Sequence, residues 1–87
     1  MELEEALGEV LRSLRKQQGL SQEALALDAG VERNYISLIE LGKNSPSIRI
    51  LFKLCNALNV NPSVLLARVE EQVNDGLKKK RPVKKQT

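Results

Sequence analysis

Glycines at positions 19, 30 and 42 divide the first half of the chain into stretches whose apolar residues recur every three or four positions. Such spacing gathers them on one face of an α-helix, where 3.6 residues make a turn. Glycine is poor inside a helix and favoured just past its end. The segments can therefore only be short helices joined by tight turns. Leu3, Ala6, Leu7, Val10, Leu11 and Leu14 form the first stripe, with Glu2, Glu4 and Glu5 at its start and Arg15 and Lys16 near its end. Both charge sets match the helix dipole. Ser21 is a good N-cap for a second helix, from Gln22 to Ala29, with Leu25, Ala26 and Ala29 on one face. A third runs from about Arg33 to Leu41 with Ile36 and Ile39 inward, and the short link around Gly30 forces the two to cross steeply.

Ser45, Pro46 and Ser47 open a fourth helix, whose expected inner stripe is Ile48, Leu51, Phe52, Cys55 and Leu58. Asn61 and Pro62 open a fifth, through Val64, Leu65, Leu66, Val69 and Val73. No segment alternates in the manner of a strand. The expectation is an all-α fold, a compact five-helix bundle.

With 87 residues, 41% hydrophobic and 29% charged, the chain suits one small soluble domain. No apolar run approaches the roughly 20 residues of a membrane span, and no signal segment opens the sequence. With no His and a single cysteine, Cys55, the chain cannot assemble a soft metal site, a Cys/His pair or a Ser/His/Asp triad. It also lacks a phosphate-cradling glycine loop. The expectation is a cytoplasmic protein that is not an enzyme and uses no cofactor or metal. Cys55 reads as a small core residue.

Charge divides the chain. All 11 acidic residues fall within residues 1–75 beside eight of the 14 basic ones, leaving that body at −3. The other six, Lys78, Lys79, Lys80, Arg81, Lys84 and Lys85, crowd the last twelve positions. A segment so charged and so poor in apolar residues cannot offset the entropy of folding. The expected organisation is a folded unit over residues 1–75 and a flexible basic tail over 76–87.

The run from Gln22 to Glu40 resembles the helix-turn-helix of Cro/repressor-type regulators, the XRE family. Ala26, Gly30, Val31, Ile36 and Ile39 fall at that family's small, turn and core positions. Leu20, Ser21 and Gln22 resemble its helix entrance, and Gly42, Lys43 and Asn44 its exit loop. The likeness extends over about residues 7–66. The stretch Glu32 to Ser37 is similar to the recognition helix of restriction-modification controller proteins, small dimeric regulators. The resemblance implies a lambda repressor-like DNA-binding fold in a nucleoid-associated protein of bacterial or phage origin. It also implies a sequence-specific transcriptional regulator, repressing or activating, that binds double-stranded DNA with a palindromic or repeated operator. A homodimer is the expected assembly, and RNA polymerase is a further candidate partner. The rival readings are an antitoxin of a toxin–antitoxin pair and a protein-interaction adaptor that retains the fold.

With Ile36 and Ile39 inward, the opposite side of the third helix displays Arg33, Asn34, Ser37 and Leu38 toward a major groove. Arg33 suits guanine O6 and N7, Asn34 adenine N6 and N7, and Leu38 a thymine methyl. Arg33 bound to phosphate or paired with Glu32, and Leu38 roofing the helix edge, remain open. Tyr35 either reaches phosphate or lies half-buried over the second helix. Gln22 resembles the family's phosphate anchor at a helix N-terminus, and Lys43 and Asn44 would clamp the other side. The family also pairs the residue at Glu40 with a first-helix arginine, for which Arg15 fits. On the fifth helix, Leu65, Leu66, Val69 and Val73 extend further than a lid on so small a core needs, and are expected at a dimer interface.

Overall fold

The computed structural model describes residues 2–78, with side chains through Asp75. Five helices follow in order: α1 (Leu3–Gln17), α2 (Gln22–Ala29), α3 (Arg33–Glu40), α4 (Ile48–Leu58) and α5 (Pro62–Lys78). Among the described residues there is no strand. The sequence expects the folded unit to span residues 1–75, and helix α5 runs on past that boundary through Gly76 to Lys78. The remainder of the basic segment, residues 79–87, lies outside the described residues.

Local sequence explains most boundaries. The Ser21 hydroxyl accepts from the Ala24 amide at 3.0 Å and starts α2, and the Ser47 hydroxyl accepts from the Ile50 amide at 3.2 Å and starts α4. Each replaces a bond that the first helical turn cannot make for itself. Gly30 ends α2 at φ 73°, and the next amide, Val31, turns back to donate to the Ala26 carbonyl at 3.0 Å. A residue with a Cβ is strained at that φ, so glycine holds the turn between α2 and α3.

Leu11, Leu25, Ile36, Ile39, Leu54, Leu58 and Leu65 are fully buried, so every helix supplies at least one side chain to one core. Helix α1 packs on α3 and α5, and α2 packs on α3 and α4. Burying side chains of this size contributes about 1.5–3 kcal/mol each before entropy is counted.

Two expectations about α4 are corrected. Its inner stripe is Leu51, Leu54, Cys55 and Leu58, whereas Ile48 is 67% exposed and Phe52 54% exposed. At 100° per residue, Phe52 stands about 110° round the helix from the middle of that stripe and Ile48 about 70°. A wider stripe fits the sequence spacing but not the narrow strip that α2 and α5 cover. Burial drives the Cys55 thiol pKa above its usual 9.0, because no partner compensates a buried thiolate.

Candidate nucleic-acid interface

Helix α3 divides sharply by face. Ile36 and Ile39 have no exposed surface, while Arg33 and Asn34 stand in solvent and Ser37 and Leu38 are half-buried beside them. Glu32 precedes the helix, and its side chain caps no amide. Tyr35 is half-buried and packs against the core. Lys43 is exposed and Asn44 half-buried in the loop that follows. The Lys43 amide donates to the Leu38 carbonyl at 2.9 Å, which ties the start of that loop to the end of α3.

A buried polar cluster fixes α3 against α1 and α2. Arg15 grips Glu40 with two parallel bonds, Nε donating to Oε2 at 2.6 Å and Nη2 to Oε1 at 3.0 Å. Its Nη1 donates to the Leu20 carbonyl at 2.8 Å, in the link that leads into α2. The two side chains are only 9% and 4% exposed. Hydrogen bonding to Glu40 raises the Arg15 pKa above its already high value, with burial opposing. The planar guanidinium matches the carboxylate edge to edge, so the pair sets orientation as well as attraction.

Gln22 joins the same cluster, its Nε2 donating to Glu40 Oε1 at 3.0 Å. The sequence suggests only a phosphate anchor at this position. The carboxamide is instead held by α3, and one of its two N–H groups is committed. The second N–H and the free amides of the first turn of α2 are what this end can offer an anion. Sequence reasoning misses Arg12. It is exposed and lines one surface depression with Gln22, Ser37 and Leu41, so α1 brings a cation to the edge of the α2–α3 face. The available signal is its position nearly one turn before Arg15 on the same helix.

Gly8 is a further unforeseen feature. A Cβ there would lie 2.5 Å from the Ile39 carbonyl oxygen and 2.7 Å from that of Glu40. Helix α1 thus touches the last carbonyls of α3 directly, at a distance only glycine permits. An isolated glycine within a helical stripe is the available sign.

The residues assigned to a dimer interface separate. Leu65 and Val69 are 0% and 3% exposed and belong to the protomer's own core. Leu66 is 44% exposed and Val73 half-buried, so only these two of the four present surface on α5. Among the described residues no group of three or more His, Cys, Asp or Glu could hold a metal. No single helix there is long and apolar enough to cross a membrane.

The family model described as Helix-turn-helix matches residues 11–65. The uncharacterized HTH-type transcriptional regulator y4dJ of Sinorhizobium fredii is 30% identical over 71 residues, 82% of this chain and 92% of the relative. The transcriptional regulator ClgR of Mycobacterium tuberculosis is 36% identical over 69 residues, 79% of this chain but 62% of ClgR, so the chain spans under two thirds of that protein. Among solved structures, the restriction-modification controller protein C.AhdI from Aeromonas hydrophila superposes with a TM-score of 0.70 at 39% identity, covering 71% of this chain and 94% of its own.

Proposed function

Because the chain belongs to the helix-turn-helix family, we propose that it is a sequence-specific, double-stranded-DNA-binding regulator of transcription. It acts by binding rather than by catalysis, in the cytoplasm. One observation carries the reading: α3 gives Ile36 and Ile39 wholly to the core and leaves Arg33, Asn34 and Ser37, all hydrogen-bonding side chains, on its outer face. Arg33 and Asn34 then read base edges, with Ser37 and Leu38 filling in beside them, while Gln22, Lys43 and Asn44 hold the backbone. For Tyr35, half-burial favours a packing role, with its hydroxyl left for phosphate. The similarity to a restriction-modification controller protein and to named regulators favours this over the antitoxin and adaptor readings.

The working unit is a homodimer on a palindromic or repeated operator, with two copies of α3 about 34 Å apart, one turn of DNA. RNA polymerase is a second partner, at the promoter. The folded body, at −3, gains little from bulk attraction to phosphate, so the basic segment supplies non-specific affinity. Removing residues 79–87, which carry five of the six terminal cations, flattens the dependence of log K on log salt by about 0.9 for each phosphate that is no longer neutralised. Equal slopes for both forms would free the tail of this role.

The experiment for the main reading selects bound duplexes from a random pool and measures affinity for the selected and a scrambled site. Arg33→Ala and Asn34→Ala each reduce the preference by about 1–3 kcal/mol. Lys43→Ala weakens both duplexes alike. An unchanged preference in Arg33→Ala would remove α3 from base readout.

A further inference from the structure

Helix α1 lies close enough to α3 for its backbone at Gly8 to meet the carbonyl oxygens of Ile39 and Glu40. Arg12 stands one turn further along α1, about 40° round from Gly8, so the same close approach carries its side chain to the edge of α3. There it is exposed and lines a hollow of about 220 Å³ with Gln22, Ser37 and Leu41, whose buried lining is Arg15 and Glu40. Helices α1, α2 and α3 all contribute to it.

The charges in the hollow leave a surplus. Glu40 is held by Arg15 through two bonds and by Gln22 Nε2 through a third, so the buried lining is neutral. Among the described residues that pair is the one salt bridge, and Arg12 brings an uncommitted positive charge to the rim. Gln22 keeps one side-chain N–H. With Ser21 taking the Ala24 amide, the amides of Gln22 and Glu23 are also left at the start of α2. One surplus charge, a planar guanidinium and neighbouring N–H donors suit a singly charged group with several oxygens, which is what a phosphodiester is. Ser37, on the outer side of α3, puts the hollow on the side assigned to DNA.

We propose that Arg12 and Gln22 together hold one backbone phosphate of the duplex, so that α1 takes part in DNA binding beside α2 and α3. The proposal rests on the DNA-binding reading above and adds to it a contact that reads no base. Arg12 is a positioning residue: a phosphate that bridges α1 and α2 at the rim of α3 sets where α3 lies along the groove.

Selected duplexes carrying a neutral methylphosphonate at one linkage at a time test it with the full chain, and circular dichroism melts check each variant's fold. One such linkage costs the unsubstituted protein about tenfold in affinity through this contact. Arg12→Ala loses its sensitivity to that linkage and keeps its sensitivity to the others. It also binds unmodified selected and scrambled duplexes about tenfold more weakly alike, and lowers the slope of log K against log salt by about 0.9. Arg12→Lys keeps the charge but not the planar fork, so it retains most of the slope and recovers only part of the affinity. An Arg12→Ala protein with the same slope and the same linkage sensitivities overturns the proposal. So does one that melts earlier while binding DNA as before, because Arg12 then only supports α3. Inorganic phosphate that shifts the Gln22 amide signal, with no linkage depending on Arg12, gives the hollow to a free anion and also overturns it. If Arg33→Ala leaves the sequence preference unchanged, base readout by α3 fails while the Arg12 contact stands. A protein that binds no duplex of any sequence overturns both.

Discussion

The seam between α1 and α3 and the outer side of α4 are built on opposite plans. In the seam, backbone meets backbone at Gly8, and a charged pair is shut away with its hydrogen bonds filled. Along α4, aliphatic and aromatic surface is left in water between two cations. The seam fixes one helix at one angle and tolerates little change, whereas the α4 side asks little of the protomer and is free to serve another molecule. Precision is placed where orientation matters, and stickiness where contact matters.

The largest expected effect breaks the seam. Glu40→Ala leaves Arg15 buried and unpaired, and thermal or denaturant unfolding should show a loss of about 3–5 kcal/mol. Arg15→Met with Glu40→Leu removes both charges and should lose much less, so the pair serves orientation more than stability. Next comes Gly8→Ala, in which the new methyl meets carbonyl oxygens of α3 that cannot swing aside. Overpacking of this kind costs about 1–3 kcal/mol. DNA affinity should fall further than stability does, since α3 must shift to admit the methyl. A Gly8→Ala protein with full stability and full affinity would show that the seam has slack.

On the contrasting side, Phe52→Ser should change protomer stability by less than about 0.5 kcal/mol, measured well below any dimer dissociation constant. A loss as large as that of a core residue would erase the distinction between the two regions. The smallest effect belongs to Cys55. Its folded pKa is raised, so the unfolded thiol ionises first, and stability present below about pH 9 declines as pH rises through and beyond that value. Cys55→Ala should flatten that limb of the pH curve, while costing some packing at all pH values.

How much of this is legible in the sequence depends on whether local rules or tertiary cover decide. Glycine stops, serine caps and the stripes of α1 to α3 are local, and Leu25, Ala26, Ile36 and Ile39 lie where spacing puts them. Helix α4 shows the limit, because apolar spacing tells which residues share a face but not how wide a strip the neighbours cover. For that reason Ile48 and Phe52 read as core and stand in solvent. The same limit hides the split in α5 between buried Leu65 and exposed Leu66. The hold of Glu40 on Gln22 joins residues 18 positions apart and has no local signature. Gly8 is visible as an oddity, but its reason lies in another helix.

The placement of Tyr35 has an optical consequence. The chain has no tryptophan and a single tyrosine, so its intrinsic ultraviolet emission comes from one ring, half-buried on α3 between Asn34 and Ile36. Helix α3 therefore carries the molecule's own fluorophore. Once corrected for absorption by the bases, a change in its emission on titration with a duplex reports on that helix with no dye attached.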